Sequence, residues 1–129
     1  MSISLFQKKE KTALYFTTKT ELLDHDYLLQ PVPDAYIALE NRQKTTRYFV
    51  DIFDAQTPHF VLKRRVQQYL EYYEDGAWED ATKHPFPKIL LVCMESSTST
   101  FLRHYLDDIR EETDVVFMPL TLPEMNSLE

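Results

Sequence analysis

The stretch "RYFVDIFDAQTPHFVLKRRVQQYLEYYED", Arg47 to Asp75, decides the fold. Its opening residues put Tyr48, Val50 and Ile52 on one face of a strand and Phe49, Asp51 and Phe53 on the other. A strand that is apolar on both faces belongs in the middle of a sheet. "DAQTPHF" then leads into a helix over 58–74, with Thr57 as expected N-cap and Pro58 at the first helical position. Leu62, Val66, Tyr69 and Tyr73 follow at helical spacing and form one apolar stripe. Two features do not belong to a plain strand–helix unit. Asp51 puts a carboxylate in the middle of the strand, and Lys63, Arg64 and Arg65 crowd the first two helical turns, where cations oppose the helix dipole. Such cations need an ion-pairing or functional reason, unless they only decorate a solvated face.

Further along the chain, "KILLVCM", Lys88 to Met94, is a continuous apolar run of the kind that forms a central parallel strand. With the strand and helix before it, this run makes a β-α-β crossover, right-handed by the general rule. The connection "EDGAWEDATKHPFP" reads as a linker. "ESSTSTFLRHYLDDIREE" has a Ser/Thr cap-and-turn cluster and then a helix with Phe101, Leu102, Tyr105, Leu106 and Ile109 on one face. "DVVFMPL", Asp114 to Leu120, is the last strand. Upstream, Thr12–Phe16 and Ala35–Leu39 read as strands, and the segment between them is ambiguous between turn and short helix. The expectation is a single α/β domain over 12–122, with a mixed central sheet flanked by helices in the order β-β-β-α-β-α-β. Its first three strands form an antiparallel meander. Residues 1–11 are expected to be a flexible N-terminal segment and 123–129 a flexible tail, in which Leu128-Glu129 resembles an expression-vector scar. Such ends suggest a piece of a longer protein.

A chain of 129 residues fits one domain. It can bury enough surface to fold without disulfides or a structural metal. A single glycine argues against Gly-rich phosphate cradles. The one cysteine, Cys93, sits inside the apolar run and reads as a small buried hydrophobe, in keeping with a reducing cytoplasm. No apolar stretch approaches the roughly 20 residues of a membrane span, and "MSISLFQKKEK" lacks the apolar core of a signal peptide. A formal charge of −7 counts against autonomous binding to nucleic acid, although a local basic patch survives that objection. His25, His59, His84 and His104 show no metal-ligand spacing.

Asp34 follows Pro33 at the start of a strand, and Asp51 lies in the next one. An antiparallel hairpin can bring two such carboxylates together on a hard divalent cation, Mg²⁺ or Mn²⁺. A site of that kind activates water and stabilises charge on a phosphodiester, helped by a nearby Lys or Arg. A structural reading stands beside it. Pro-Asp is a common turn pair, and a buried Asp51 needs only donors or a cation, for which Arg65 or Lys63 would serve. Tyr69, Tyr72 and Tyr73 offer either base stacking or, for Tyr69 and Tyr73, packing on the sheet with their phenols at the rim.

Pro33-Asp34, the strand acid Asp51 and the basic helix after it resemble the PD-(D/E)XK restriction-endonuclease-like superfamily. More narrowly, "PVPDAYIAL", "YFVDIFDAQTP", "RRVQQYLEYY" and "FPKILLVCMES" are similar, in that order, to the replication-relaxation family of plasmids and mobile elements. The resemblance covers roughly Tyr15 to Leu120 and rests on segment order, since no single motif is specific. It implies an endonuclease-like fold and an association with DNA, helped by an upstream winged-helix segment. It implies Asp34, Asp51 and Asp54 as ligands for Mg²⁺ or Mn²⁺, with Lys63 and Arg65 as phosphate contacts beside the catalytic acids. Several positions depart from the pattern. Phe53 stands where the strand lysine belongs, and Asp54 comes one residue late, which turns it to the other face unless the strand bulges. Arg65 stands where the family favours Lys, and a guanidinium cannot act as a general base. The resemblance therefore implies a degenerate site, at most a weak metal-dependent nuclease. The alternative on the same scaffold is a non-catalytic interaction or dimerisation module, whose acidic surface docks a basic partner or a second copy.

Overall fold

The protein is described as a computed structural model over residues 13–124. Five strands form one mixed sheet: β1 (Ala13–Thr18), β2 (Ala35–Glu40), β3 (Thr45–Phe53), β4 (Lys88–Cys93) and β5 (Phe117–Thr121), side by side in chain order. The helices are α1 (Lys19–Leu22), α2 (His59–Asp75), α3 (Ala77–Thr82) and α4 (Ser96–Ile109), and a 3₁₀ turn spans Arg110–Glu112. β1, β2 and β3 pair antiparallel, whereas β3, β4 and β5 run parallel. The expected N-terminal segment 1–11 lies outside the described residues, as do 125–129 of the tail.

The apolar pattern decides which strands are interior. β4 has a parallel neighbour on each side, and Ile89, Leu90, Leu91 and Val92 are sealed from solvent. That double burial is what a continuous apolar run provides. On one face Phe49, Phe53, Ile89, Leu91 and Cys93 pack against Leu62, Val66 and Tyr69 of α2 and against Leu102 and Leu106 of α4. On the other face Ile37, Leu39, Tyr48, Val50, Leu90 and Val92 form a second cluster, to which no described helix contributes.

Several details differ from the sequence reading. The N-cap of α2 is Pro58, with extended backbone, and not Thr57. The Asp54 carboxylate accepts the Gln56 N–H at 2.9 Å and the Thr57 hydroxyl at 3.0 Å, so Thr57 serves the loop instead of the helix. The buried stripe of α2 includes Tyr72 where Tyr73 was expected, and the Tyr72 hydroxyl donates to the Tyr27 carbonyl at 3.0 Å. The linker contains α3. Gly76, at φ +72°, ends α2 in the left-handed region that favours glycine, and the turn lets Trp78 pack edge-on against Phe49 with centroids 5.1 Å apart. The Ser/Thr cluster lies inside α4, whose N-cap is Glu95. The ambiguous segment after β1 includes α1, closed by a capping box between Thr18 and Glu21. The last strand begins at Phe117 and not at Asp114, because Thr113 Oγ1 takes the Val115 N–H into a local turn. Ile52, expected to be buried, is exposed near the end of β3. Among the described residues no helix is long and apolar enough to cross a membrane.

The edge strand β5 is blunted. Pro119 lacks an N–H, and its carbonyl accepts from Arg103 Nη2 at 3.3 Å. The Thr121 N–H donates to Glu124 Oε1 at 2.8 Å, and Arg103 closes the clamp on Glu124 at 2.9 Å. The Thr121 N–H, then Arg103 and the Thr121 hydroxyl, hold the Glu124 carboxyl down at about 2. A folded pKa below the unfolded value of about 4.3 makes the clamp stabilising above that pH. Its contribution fades as the pH falls toward about 2. A carbon-detected NMR titration of Glu124 is expected to show a midpoint near that depressed value. A midpoint in the ordinary carboxylate range would mean the clamp does not form in solution.

Candidate functional site

Asp51 sits in β3 beside Leu91 of β4, on the face that α2 covers, and it is buried. A carboxylate there is costly unless its oxygens are matched by donors. α2 supplies them one turn apart, from residues on the same helical face. Arg65 Nε donates to Asp51 Oδ2 at 2.7 Å, and its Nη2 lies 3.4 Å from Oδ1, so the guanidinium grips both oxygens. The Tyr69 hydroxyl donates to Oδ2 at 2.6 Å. The remaining donors of Arg65 are directed to Gln68 Oε1 at 2.9 Å and to the Tyr69 hydroxyl oxygen at 3.5 Å. Among the described residues no buried side-chain polar atom lacks a partner.

The charges adjust to this enclosure. Burial, reinforced by the negative charge of Asp51, pushes the Tyr69 phenol well above its ordinary value and keeps it a proton donor. Burial alone would lower the Arg65 pKa, but the Tyr69 and Asp51 oxygens outweigh it and the net shift is upward. The result is a buried guanidinium–carboxylate pair with one phenol as third member. Its geometry fixes the orientation of α2 on the sheet.

The other residues singled out in the sequence do not join this cluster. Asp34 lies just before β2, where its Oδ2 accepts the Ile52 N–H at 2.8 Å and its Oδ1 is 3.8 Å from Lys19 Nζ. It ties the start of β2 to the end of β3. Asp54 is engaged in its own turn. Lys63 is exposed and lies against Phe101 and Tyr105 of α4, its Nζ 5.9 and 5.4 Å from their centroids. Each of the three acids accepts hydrogen bonds from donors of the chain. Among the described residues no group of three or more His, Cys, Asp or Glu is placed to hold a metal.

Of the two partners left open for Asp51, Arg65 is the one used. The sequence reading missed the Tyr69 hydroxyl as a ligand of Asp51 by placing that phenol at the rim. The four-residue spacing from Arg65 is the signal that would have found it. No family model, curated protein or solved structure matches the chain.

Removing one partner of a buried pair strands the other charge, which typically costs about 3–5 kcal/mol, whereas an apolar replacement of the whole set is close to neutral. Arg65→Met is therefore expected to destabilise the domain by about that amount in urea unfolding. The triple variant Asp51→Leu, Arg65→Met, Tyr69→Phe should recover most of the loss. A mild single-variant effect would show that the pair does not hold α2 to the sheet.

Proposed function

We propose that this domain is a non-catalytic, nucleic-acid-associated module of the replication-relaxation type, built on a restriction-endonuclease-like scaffold whose active position has become structural. Support for the scaffold comes from the antiparallel meander followed by parallel strands and from the acid in the central strand β3. Support for a degenerate site comes from Asp51, which is held by Arg65 and Tyr69 and has Phe53 two residues on.

One observation carries the nucleic-acid reading. Lys63 and Arg64 stand at the wrong end of α2 for its dipole, and among the described residues neither pairs with a carboxylate. Ion pairing therefore does not account for them, as it does for Arg65. Both lie over aromatic rings: Lys63 over Phe101 and Tyr105, and Arg64 over Phe60 at 5.5 Å. His59 stacks on Phe101 with centroids 3.7 Å apart, and Phe60 is 61% exposed. Cations interleaved with the exposed Phe60 ring and the half-buried Phe101 and Tyr105 rings suit a single-stranded nucleic acid, whose phosphates take the cations and whose bases stack.

The test is fluorescence anisotropy with a labelled single-stranded DNA oligonucleotide at a series of salt concentrations. Phe60→Ala is expected to cost roughly 1–3 kcal/mol of binding. Lys63→Gln with Arg64→Gln should lower the slope of log K against log salt by about 1.4, the value for two lost single-strand phosphate contacts. Calorimetric titration with Mg²⁺ and Mn²⁺ is expected to show no heat that Asp51→Asn removes. Absence of oligonucleotide binding, or binding indifferent to these positions, would defeat the proposal, and an Asp51-dependent metal site would restore a catalytic one.

A further inference from the structure

A cleft of about 460 Å³ opens between the C-terminal half of α4 and the chain that leads into β5, away from the Asp51 cluster. Leu106, Ile109, Val115, Val116 and Phe117 supply its apolar lining, and Val116 is 47% exposed. The volume is in the range of sites that hold a ligand or a few side chains, roughly 300–1,000 Å³. Both arginines on its wall are occupied, Arg103 by Glu124 and Arg110 by Asp107.

The surrounding charge is strongly one-sided. From Asp107 to Asp114 five carboxylates stand against the single Arg110. Among the described residues Asp108, Glu111, Glu112 and Asp114 have no ion-pair partner. Negative charge at the C-terminal end of a helix opposes the dipole, so these acids are not there to stabilise α4. Asp107 and Asp114 line the cleft itself, and Asp108, Glu111 and Glu112 lie in the adjoining turn. An apolar trough beside such a surplus of acids repels phosphate and attracts a cationic chain that carries apolar side chains. Strand addition is not the mode of binding, because Pro119, Arg103 and Glu124 close the neighbouring edge of β5.

We infer that this cleft docks a basic segment of a protein partner, with one or two large apolar side chains seated between α4 and β5 and flanking Lys or Arg residues on the Asp107–Asp114 rim. The inference does not depend on the nucleic-acid reading, which rests on other residues, Phe60, Lys63 and Arg64.

The probe is a fluorescein-labelled peptide of sequence KLKFKK, titrated with the full chain and compared with KSKSKK and ELEFEE. Saturable binding of KLKFKK alone is expected. Val116→Lys and Asp114→Lys should each weaken it by about tenfold or more, equivalent to about 1.4 kcal/mol. Both positions are exposed, and an unchanged circular dichroism spectrum and melting profile would show that the fold is retained. Lys63→Gln with Arg64→Gln should leave peptide binding intact, which separates this result from the oligonucleotide test. Equal binding of KSKSKK would reduce the effect to bulk electrostatics and overturn the proposal. So would no binding, or binding indifferent to Val116 and Asp114. Concentration-dependent dimerisation in analytical ultracentrifugation that Val116→Lys abolishes would make a second copy the occupant and would likewise overturn it.

Discussion

A carboxylate in the middle of a sheet has to be neutralised, and in this chain the requirement reaches well beyond Asp51. β3 lies between β2 and β4 and is roofed by α2, so water cannot solvate the charge. The uncompensated cost would be several kcal/mol, a large part of the total stability of a domain this size. Arg65 and Tyr69 meet that cost from one helical face, and in doing so they specify how α2 is rotated about its axis and where it lies along the sheet. Apolar packing of Leu62 and Val66 alone would tolerate a small slip. A bidentate guanidinium contact tolerates much less.

The rotation of α2 then distributes the rest of its charge. Each residue turns about 100° around a helix, so an inward Arg65 sends Lys63 and Arg64 outward on different sides. Lys63 falls toward the rings of α4, and Arg64 folds back over Phe60. Three consecutive basic residues thus have two different explanations. One completes a buried network, and the other two remain on an aromatic surface without acidic partners.

What the sequence made legible follows the same physics. The core strands β3 and β4 and the helices α2 and α4 were readable because burial imposes a period on apolar residues, and a period survives in one dimension. α3 was not readable, since six residues that depend on the turn at Gly76 and on Trp78 meeting Phe49 carry no period. The N-cap of α2 was misplaced because Thr57 has two possible partners, and Asp54 takes its hydroxyl. At the site, the cost of a buried carboxylate pointed to Asp51 and to a short choice of cations. The role of Asp34 was beyond reach. Its acceptance of the Ile52 N–H depends on how β2 meets β3, and a carboxylate beside a backbone amide leaves no compositional trace.

Helix dipoles sharpen the contrast between the cations of α2 and the acids of α4. Lys63 and Arg64 lie in the second turn of α2 and Asp107 and Asp108 in the last turn of α4, the reverse of what either helix would select for its own stability. Each such charge costs only a few tenths of a kcal/mol at an exposed site, yet they accumulate in the same unfavourable sense on both helices. Arg65, Arg103 and Arg110 show that this fold pairs its charges readily where structure calls for it. Among the described residues the groups left unpaired, Lys63 and Arg64 on α2 and Asp108, Glu111, Glu112 and Asp114 at and after the end of α4, are therefore the ones whose cost the fold itself does not recover.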